Sequence, residues 1–262
     1  MKKTILFLKK HLRNTFYSNV WIAFAAGCAA YQTSQLFDLD NFYLPLFVAS
    51  STLFVYNFQR LVKINQKPLL YAAGRNNWIY RNKKLLALLT IASAAACVVM
   101  HRILEPQDYF LLAIPGFLSV FYAVPFKISP KKTFEAMRSL PYLKLFLISF
   151  TWSVSTVFLP AVHAYGFDAL LWRETFLLAI EQFLFIAAIT IPFDIRDLKF
   201  DSPFQKTIPQ LFGVSGAIAF AMALLTGSFV CLVFLNQFSL IDAREAWALC
   251  IGNVVAGIGI VS

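Results

Sequence analysis

The sequence predicts an all-α protein, built as a polytopic bundle of transmembrane helices. Apolar residues make up 59% of the 262 residues and charged residues only 14%. The mean hydropathy is +0.67, which is too apolar for a soluble domain of this length. The apolar residues also form long runs, and the basic residues collect in alternate loops. We therefore predict a single integral membrane domain over residues 1–262.

The apolar runs are each close to the roughly 20 residues that a helix needs to cross a bilayer. They lie at residues 16–36, 42–57, 84–103, 109–126, 142–162, 174–193, 212–236 and 243–261. Residues 1–15 are basic and amphipathic, which predicts a lead-in lying on the cytoplasmic surface of the membrane. About eight transmembrane helices are therefore expected.

The basic residues indicate how these helices are oriented. All but three of the 23 Lys and Arg residues lie in the N-terminus or in every second loop, the exceptions being Arg102, Arg173 and Arg244. Cytoplasmic loops collect Lys and Arg, so we predict a cytoplasmic N-terminus. The same bias and anionic lipid headgroups account for the net charge of +10 without nucleic acid as a partner. The simple topology favours a bacterial inner membrane.

Three acids stand out at the end of the sixth apolar run. Asp194, Asp197 and Asp201 are spaced three and seven residues from the first, so a helix would place them on one face. Clustered carboxylates are a suitable site for a hard divalent cation such as Mg²⁺. The alternative interpretation is a solvated loop whose acids have no ligand.

These acids also carry a resemblance to a known family. The run Asp194-x-x-Asp197-x-x-x-Asp201, followed by Thr207-Ile208-Pro209, resembles the second aspartate-rich motif of the UbiA-type membrane prenyltransferases. Tyr122-x-x-Pro125-x-Lys127 is similar to the Tyr-Pro-Lys stretch of that family, and Lys67-Pro68-Leu69 to its Arg-Pro-Leu. Taken alone, Tyr122 and Lys127 are equally typical of an interfacial tyrosine and a cytoplasmic charge.

The resemblance implies a UbiA-like bundle around a central cavity. Such enzymes bind a polyprenyl diphosphate through Mg²⁺ and transfer its prenyl group to an aromatic or other lipophilic acceptor. It assigns Mg²⁺ binding and catalysis to Asp194, Asp197 and Asp201. The residues that we predict to bind substrate are Asn57, Lys67, Tyr122 and Lys127, together with Arg60 and Lys63. The family commonly has nine helices, so a ninth would be missing here, and the apolar end of the chain favours a shortened protein.

The first aspartate-rich motif of the family is degenerate in this chain. It reads Asn-Asp-x-x-Asp-x-x-x-Asp, whereas the matching stretch from Asn57 to Asn65 contains no aspartate. One hypothesis is that Arg60 and Lys63 replace the charge of a metal ion beside the phosphate. The alternative is that they are ordinary cytoplasmic anchors. Asn57 is predicted either to cap its helix or to bind substrate.

Two other function classes stay open. One is a catalytically degenerate UbiA-fold protein that binds an isoprenoid or anionic lipid, or scaffolds a partner. The other is a transporter, for which Pro115-Gly116 and Pro192 offer helix breaks but no matched inverted pair. Glu181 lies inside a predicted span, about 20 Å along a helix from Asp194. We predict that it pairs with a polar neighbour and is outside the metal site.

Overall fold

The computed structural model describes residues 12–66, 74–123, 126–129, 132–134, 143–198 and 206–261. Within these ranges, eight long helices follow the order of the eight predicted apolar runs. The all-α prediction is therefore confirmed. The chain divides into two compact units, which are Met1–Ser34 with Asp40–Glu105 (unit 1) and Gln35–Leu39 with Pro106–Ser262 (unit 2). This division does not test whether residues 1–262 form a single membrane domain, so the single domain stays a prediction.

Unit 1 is a set of helices that begins with a helical segment at residues 12–17. Its longest helix packs against the fourth one, and Ile64, Ile79 and Leu86 form a buried apolar cluster there. The helices are α1 (Val20–Leu36, whose last residues belong to unit 2), α2 (Tyr43–Gln66), α3 (Gly74–Arg81) and α4 (Lys83–Met100), with a 3₁₀ turn at His101–Ile103.

Unit 2 contains the remaining long helices and one short hairpin. The hairpin is antiparallel, pairs Phe126 with Phe134, and was not predicted from the sequence. The helices are α5 (Pro106–Ala123), α6 (Leu143–Ser153), α7 (Leu159–Tyr165), α8 (Arg173–Asp197), α9 (Ile208–Gln237) and α10 (Ala243–Val261). The strands are β1 (Phe126–Ser129) and β2 (Lys132–Phe134), a π-helical turn covers Val154–Phe158, and a 3₁₀ helix covers Phe167–Leu171.

Five helical stretches among the described residues are long and apolar enough to cross a membrane. Their mean hydropathies range from 1.3 to 2.5. They are Lys83–Ile103, Leu143–Tyr165, Arg173–Asp197, Ile208–Gln237 and Ala243–Val261. The prediction of an integral membrane protein is therefore supported by helix length as well as composition.

Helix α8 lies between α6 and α9 in unit 2. Ala188 on α8 and Ala217 and Ala221 on α9 belong to one buried cluster. Such small side chains let the backbones of two helices approach closely. At the other end of the unit, His163 on α7 contacts the buried carboxylate of Asp108 on α5, with 2.7 Å from Nδ1 to Oδ2. The first contact joins α8 to α9, and the second joins α7 to α5.

Two predicted helices are less regular than expected. The predicted helix at 142–162 contains the π-helical turn, and Pro160, two residues after it, has no N–H to donate back to that turn. Helix α9 begins before residue 212, at Ile208, and is kinked at Gly213, where φ is +71°. That backbone conformation favours glycine. Hydropathy alone predicts neither irregularity.

Candidate functional site

Asp194 is a buried carboxylate in the last turn of α8. The residue is 1% exposed, and its Oδ1 lies 2.6 Å from Nζ of Lys144, the second residue of α6. The ion pair therefore joins the start of α6 to the end of α8. Lys144 was predicted only as one of many loop cations, since its pairing with a residue 50 positions away has no local signal in the sequence.

Asp197 lies one turn beyond Asp194 in a more exposed setting. Both of its carboxylate oxygens accept hydrogen bonds from Arg196, at 2.8 Å from Nε and 3.1 Å from Nη2. The same guanidinium lies 5.1 Å from the centre of the Phe193 ring. Asp194 is therefore held inside the unit, whereas Asp197 and Arg196 form the rim of this end of α8.

The donors at this end of α8 fit Mg²⁺ in kind, because Mg²⁺ prefers carboxylate oxygens. The prediction that Asp194 and Asp197 share a helix is confirmed. Among the described residues, no three His, Cys, Asp or Glu side chains are grouped closely enough to hold a metal ion. Asp201 lies outside those residues, so the three-aspartate site stays a prediction.

Asn57 is part of a buried amide pair in unit 1. Its Oδ1 accepts a 2.8 Å hydrogen bond from Nδ2 of Asn19, and both residues are at most 1% exposed. Within the described part of the chain, Asn57 Nδ2 and Asn19 Oδ1 have no hydrogen-bond partner. Exchanging both amide orientations would pair these two groups and leave Asn57 Oδ1 and Asn19 Nδ2 unsatisfied instead, so one carbonyl and one amino group lack partners in either arrangement. Helix α2 continues to Gln66, so of the two alternatives for Asn57 the helix cap is excluded.

The other predicted substrate residues differ in how much the structure says of them. Arg60 donates from Nη1 to the backbone carbonyl of Tyr17 at 2.6 Å, so it fixes the end of α2 to the turn before α1. Lys63 is exposed in the last turn of α2. The backbone of Tyr122 lies in the last turn of α5 and that of Lys127 in β1, while Lys67 lies outside the described residues.

An aromatic cluster extends from the Lys144 end of α6 toward α8. Phe146 and Phe150 stack with ring centres 5.8 Å apart, and Phe183 on α8 contacts Phe146 edge-on at 5.6 Å. Phe146 is only two residues from Lys144. The negative faces of these rings can attract a cation, and their area can contact an apolar chain.

Glu181 forms a separate polar cluster in the middle of α8. The Ser228 hydroxyl on α9 donates to Glu181 Oε1 at 2.7 Å, and Asn253 Oδ1 on α10 lies 3.1 Å from the same hydroxyl. All three residues are at most 6% exposed. As predicted, Glu181 has polar neighbours; the cluster links three helices.

Comparisons with known proteins give one significant likeness of fold. No protein-family model and no curated sequence matches the chain. The apo structure of a UbiA homolog from Aeropyrum pernix K1 matches with a TM-score of 0.67 and 14% sequence identity. The match covers 92% of this chain and 86% of that one. The chain therefore has the UbiA-type fold.

Proposed function

We propose that this protein is a UbiA-like intramembrane prenyltransferase. It would move a prenyl group from a polyprenyl diphosphate to a lipophilic, aromatic acceptor in a Mg²⁺-dependent reaction. The observation that carries the proposal is the buried Asp194, paired with Lys144 at 2.6 Å at the end of α8, in a chain of UbiA-type fold. An acid buried at the end of a membrane-spanning helix needs a cationic partner. Lys144 supplies one here, and the Mg²⁺ of a metal–diphosphate complex would supply another.

The reaction breaks the bond between the first prenyl carbon and the diphosphate oxygen, and the electron pair stays with the diphosphate. The carbon then bonds to the acceptor, which loses a proton. Mg²⁺ held by Asp194, Asp197 and the predicted Asp201 would neutralise the leaving diphosphate. The Lys144 ammonium and the Arg196 guanidinium would add two positive charges beside that group.

The aromatic cluster would serve the other part of the substrate. Phe146 contacts Phe150 at 5.8 Å and Phe183 at 5.6 Å between ring centres. Their faces would stabilise the allylic cation that forms as diphosphate leaves. Their apolar area would hold the prenyl chain. The cluster starts two residues from Lys144, so charge neutralisation and cation shielding would lie at the same end of α6.

A second candidate function is a non-catalytic protein that binds an isoprenoid or anionic lipid. The observation favouring it is that the two described aspartates of the motif are already paired with cations of the chain. Asp194 pairs with Lys144, and Asp197 pairs with Arg196. The first aspartate-rich motif is also absent. In this function Lys144 and Arg196 would contact the phosphate of the ligand. Asp194 and Asp197 would hold these two cations in position.

The test is turnover of radiolabelled polyprenyl diphosphates of several chain lengths. Purified protein would be incubated with a membrane lipid extract, with Mg²⁺ or with EDTA, and released pyrophosphate and prenylated lipid would be measured. We expect Mg²⁺-dependent turnover that is lost in the Asp194→Asn/Asp197→Asn variant. The control variant Asp38→Asn/Asp168→Asn removes two exposed acids elsewhere in unit 2 and should keep full activity.

The outcomes separate the two candidates. Turnover that survives in the Asp194→Asn/Asp197→Asn variant contradicts the assigned site. No turnover by the unmodified chain, with diphosphate binding that is independent of Mg²⁺, contradicts the enzyme and supports the non-catalytic binder.

A further inference from the structure

A cavity of about 540 Å³ lies within unit 2 at the start of α8. Its lining includes Glu174, in the first turn of α8, and residues from the ends of α1, α7 and α9. Glu174 and Asp194 are twenty residues apart on α8, about 30 Å at 1.5 Å per residue. The cavity is therefore at the opposite end of this helix from the proposed diphosphate site, and it is large enough for a small-molecule ligand.

One wall of the cavity consists of Tyr165 and the two aromatic side chains that it contacts, Phe37 and Trp172. The Tyr165 ring meets Phe37 at 6.2 Å between centres and 75° between planes. It also meets Trp172 at 4.8 Å and 45°. The Tyr165 hydroxyl donates to the backbone carbonyl of Phe37 at 3.2 Å. These contacts hold the ring system in one arrangement before any ligand binds.

The charge at the cavity is negative. Among the described residues that line it, Glu174 is the one carboxylate, and none is a Lys or an Arg. Arg173 precedes Glu174, but its guanidinium stacks 3.5 Å from the centre of the Phe238 ring, and neither residue lines the cavity. Aromatic faces together with a carboxylate form the combination that recognises organic ammonium groups.

The rest of the lining indicates which ammonium compound fits. Leu36, Leu178, Leu235 and Leu240 form an aliphatic surface beside the aromatic wall. A small free amine would leave this surface uncovered, whereas the acyl chains of a lipid would cover it. Helices α8 and α9 are both long enough to span a membrane, and the cavity lies at their ends, where lipid headgroups are found.

We propose that this cavity binds the ammonium headgroup of a zwitterionic phospholipid. The ammonium group would lie between Glu174 and the rings of Tyr165 and Trp172, and the acyl chains would lie on the leucine surface. The proposal is independent of the proposed prenyl transfer.

The test is lipid retention by the purified full chain, measured by native mass spectrometry. The protein would be equilibrated with phosphatidylethanolamine, phosphatidylcholine and phosphatidylglycerol of identical acyl chains. We expect retention of the two ammonium lipids over phosphatidylglycerol. Glu174→Gln should lower this preference about threefold, the effect of a partly exposed ion pair, and Glu174→Lys should reverse it.

A control variant matches these changes. Asp168→Asn removes an exposed acid that does not line the cavity, and it should keep the preference. Size-exclusion profiles and far-ultraviolet circular dichroism would verify that each variant is folded. The reversal expected for Glu174→Lys cannot arise from unfolding.

Several results would overturn the proposal. One is equal retention of phosphatidylglycerol, and another is an unchanged preference in both Glu174 variants. Competition by soluble glycerophosphoethanolamine at the same concentration as the lipid would show that the headgroup alone is bound, which contradicts a lipid ligand.

Discussion

Helix α8 carries two buried carboxylates whose surroundings differ. Asp194, at the end of the helix, lies 2.6 Å from the ammonium group of Lys144. Glu181, in the middle, accepts a hydrogen bond from the neutral hydroxyl of Ser228 and lies near Asn253. Both residues are at most 4% exposed. Burial therefore does not distinguish these two carboxylates, whereas the charge of the partner does.

The difference has a physical basis. The Lys144 side chain is 21% exposed. Its ammonium group can therefore move from Asp194 to a phosphate, or move away so that a metal ion contacts Asp194. Ser228 is fully buried among helices. If its hydroxyl broke the hydrogen bond to Glu181, both polar groups would be left without partners in a membrane interior. We infer that the Asp194 end binds a ligand and that the Glu181 cluster holds α8, α9 and α10 together.

The largest expected effect comes from removing the cation at the Asp194 end. Lys144→Met leaves a buried carboxylate without its ammonium partner, so the free energy of unfolding should fall by about 3 kcal/mol. Titration with sodium dodecyl sulfate in mixed micelles would measure it. The double variant Lys144→Met/Asp194→Asn should recover most of the loss, because no charge is then buried. A double variant as unstable as the single one would contradict the pairing.

A smaller effect is expected from the Glu181 cluster. Ser228→Ala removes the hydroxyl that donates to Glu181, and interhelical hydrogen bonds in membranes contribute about 0.6–1.7 kcal/mol. The same titration should show a loss in this range. Thr226→Ala is the matched control, since the Thr226 hydroxyl bonds only to the Met222 carbonyl in its own helix. Equal losses in both variants would mean that the cluster does not link helices.

The smallest effect on stability is expected at the rim. Arg196→Gln breaks the exposed pair with Asp197, and such pairs contribute about 0.2–1 kcal/mol. Stability measured at low and high salt should show a small difference that salt removes, because ions screen exposed charges. A loss as large as that of Lys144→Met would place Asp197 in the interior and weaken the contrast between the two aspartates.

The sequence predicts the helices better than it predicts the contacts between them. The eight apolar runs indicated the long helices because hydropathy is a local property, and the spacing of Asp194 and Asp197 placed both on one helix.

Contacts between distant parts of the chain could not be predicted in this way. The pairing of Asp194 with Lys144 and that of Asn57 with Asn19 join residues distant in sequence, so no local pattern reveals them. The helix cap, one of the two alternatives for Asn57, is excluded because α2 continues through the residues after it to Gln66. Likewise, the aromatic wall of the cavity forms only when Phe37, Tyr165 and Trp172 come together in the fold.

The most direct test of the central claim is equilibrium binding of a non-hydrolysable polyprenyl diphosphate analogue, with and without Mg²⁺, to the unmodified chain and two isosteric variants. Mg²⁺-dependent binding should weaken about tenfold in Asp194→Asn, the loss expected for one charge-assisted contact. It should be unchanged in Glu181→Gln, even where that variant is less stable. Equal weakening in both variants, or none in Asp194→Asn, would contradict the assignment of the Asp194 end as the ligand site.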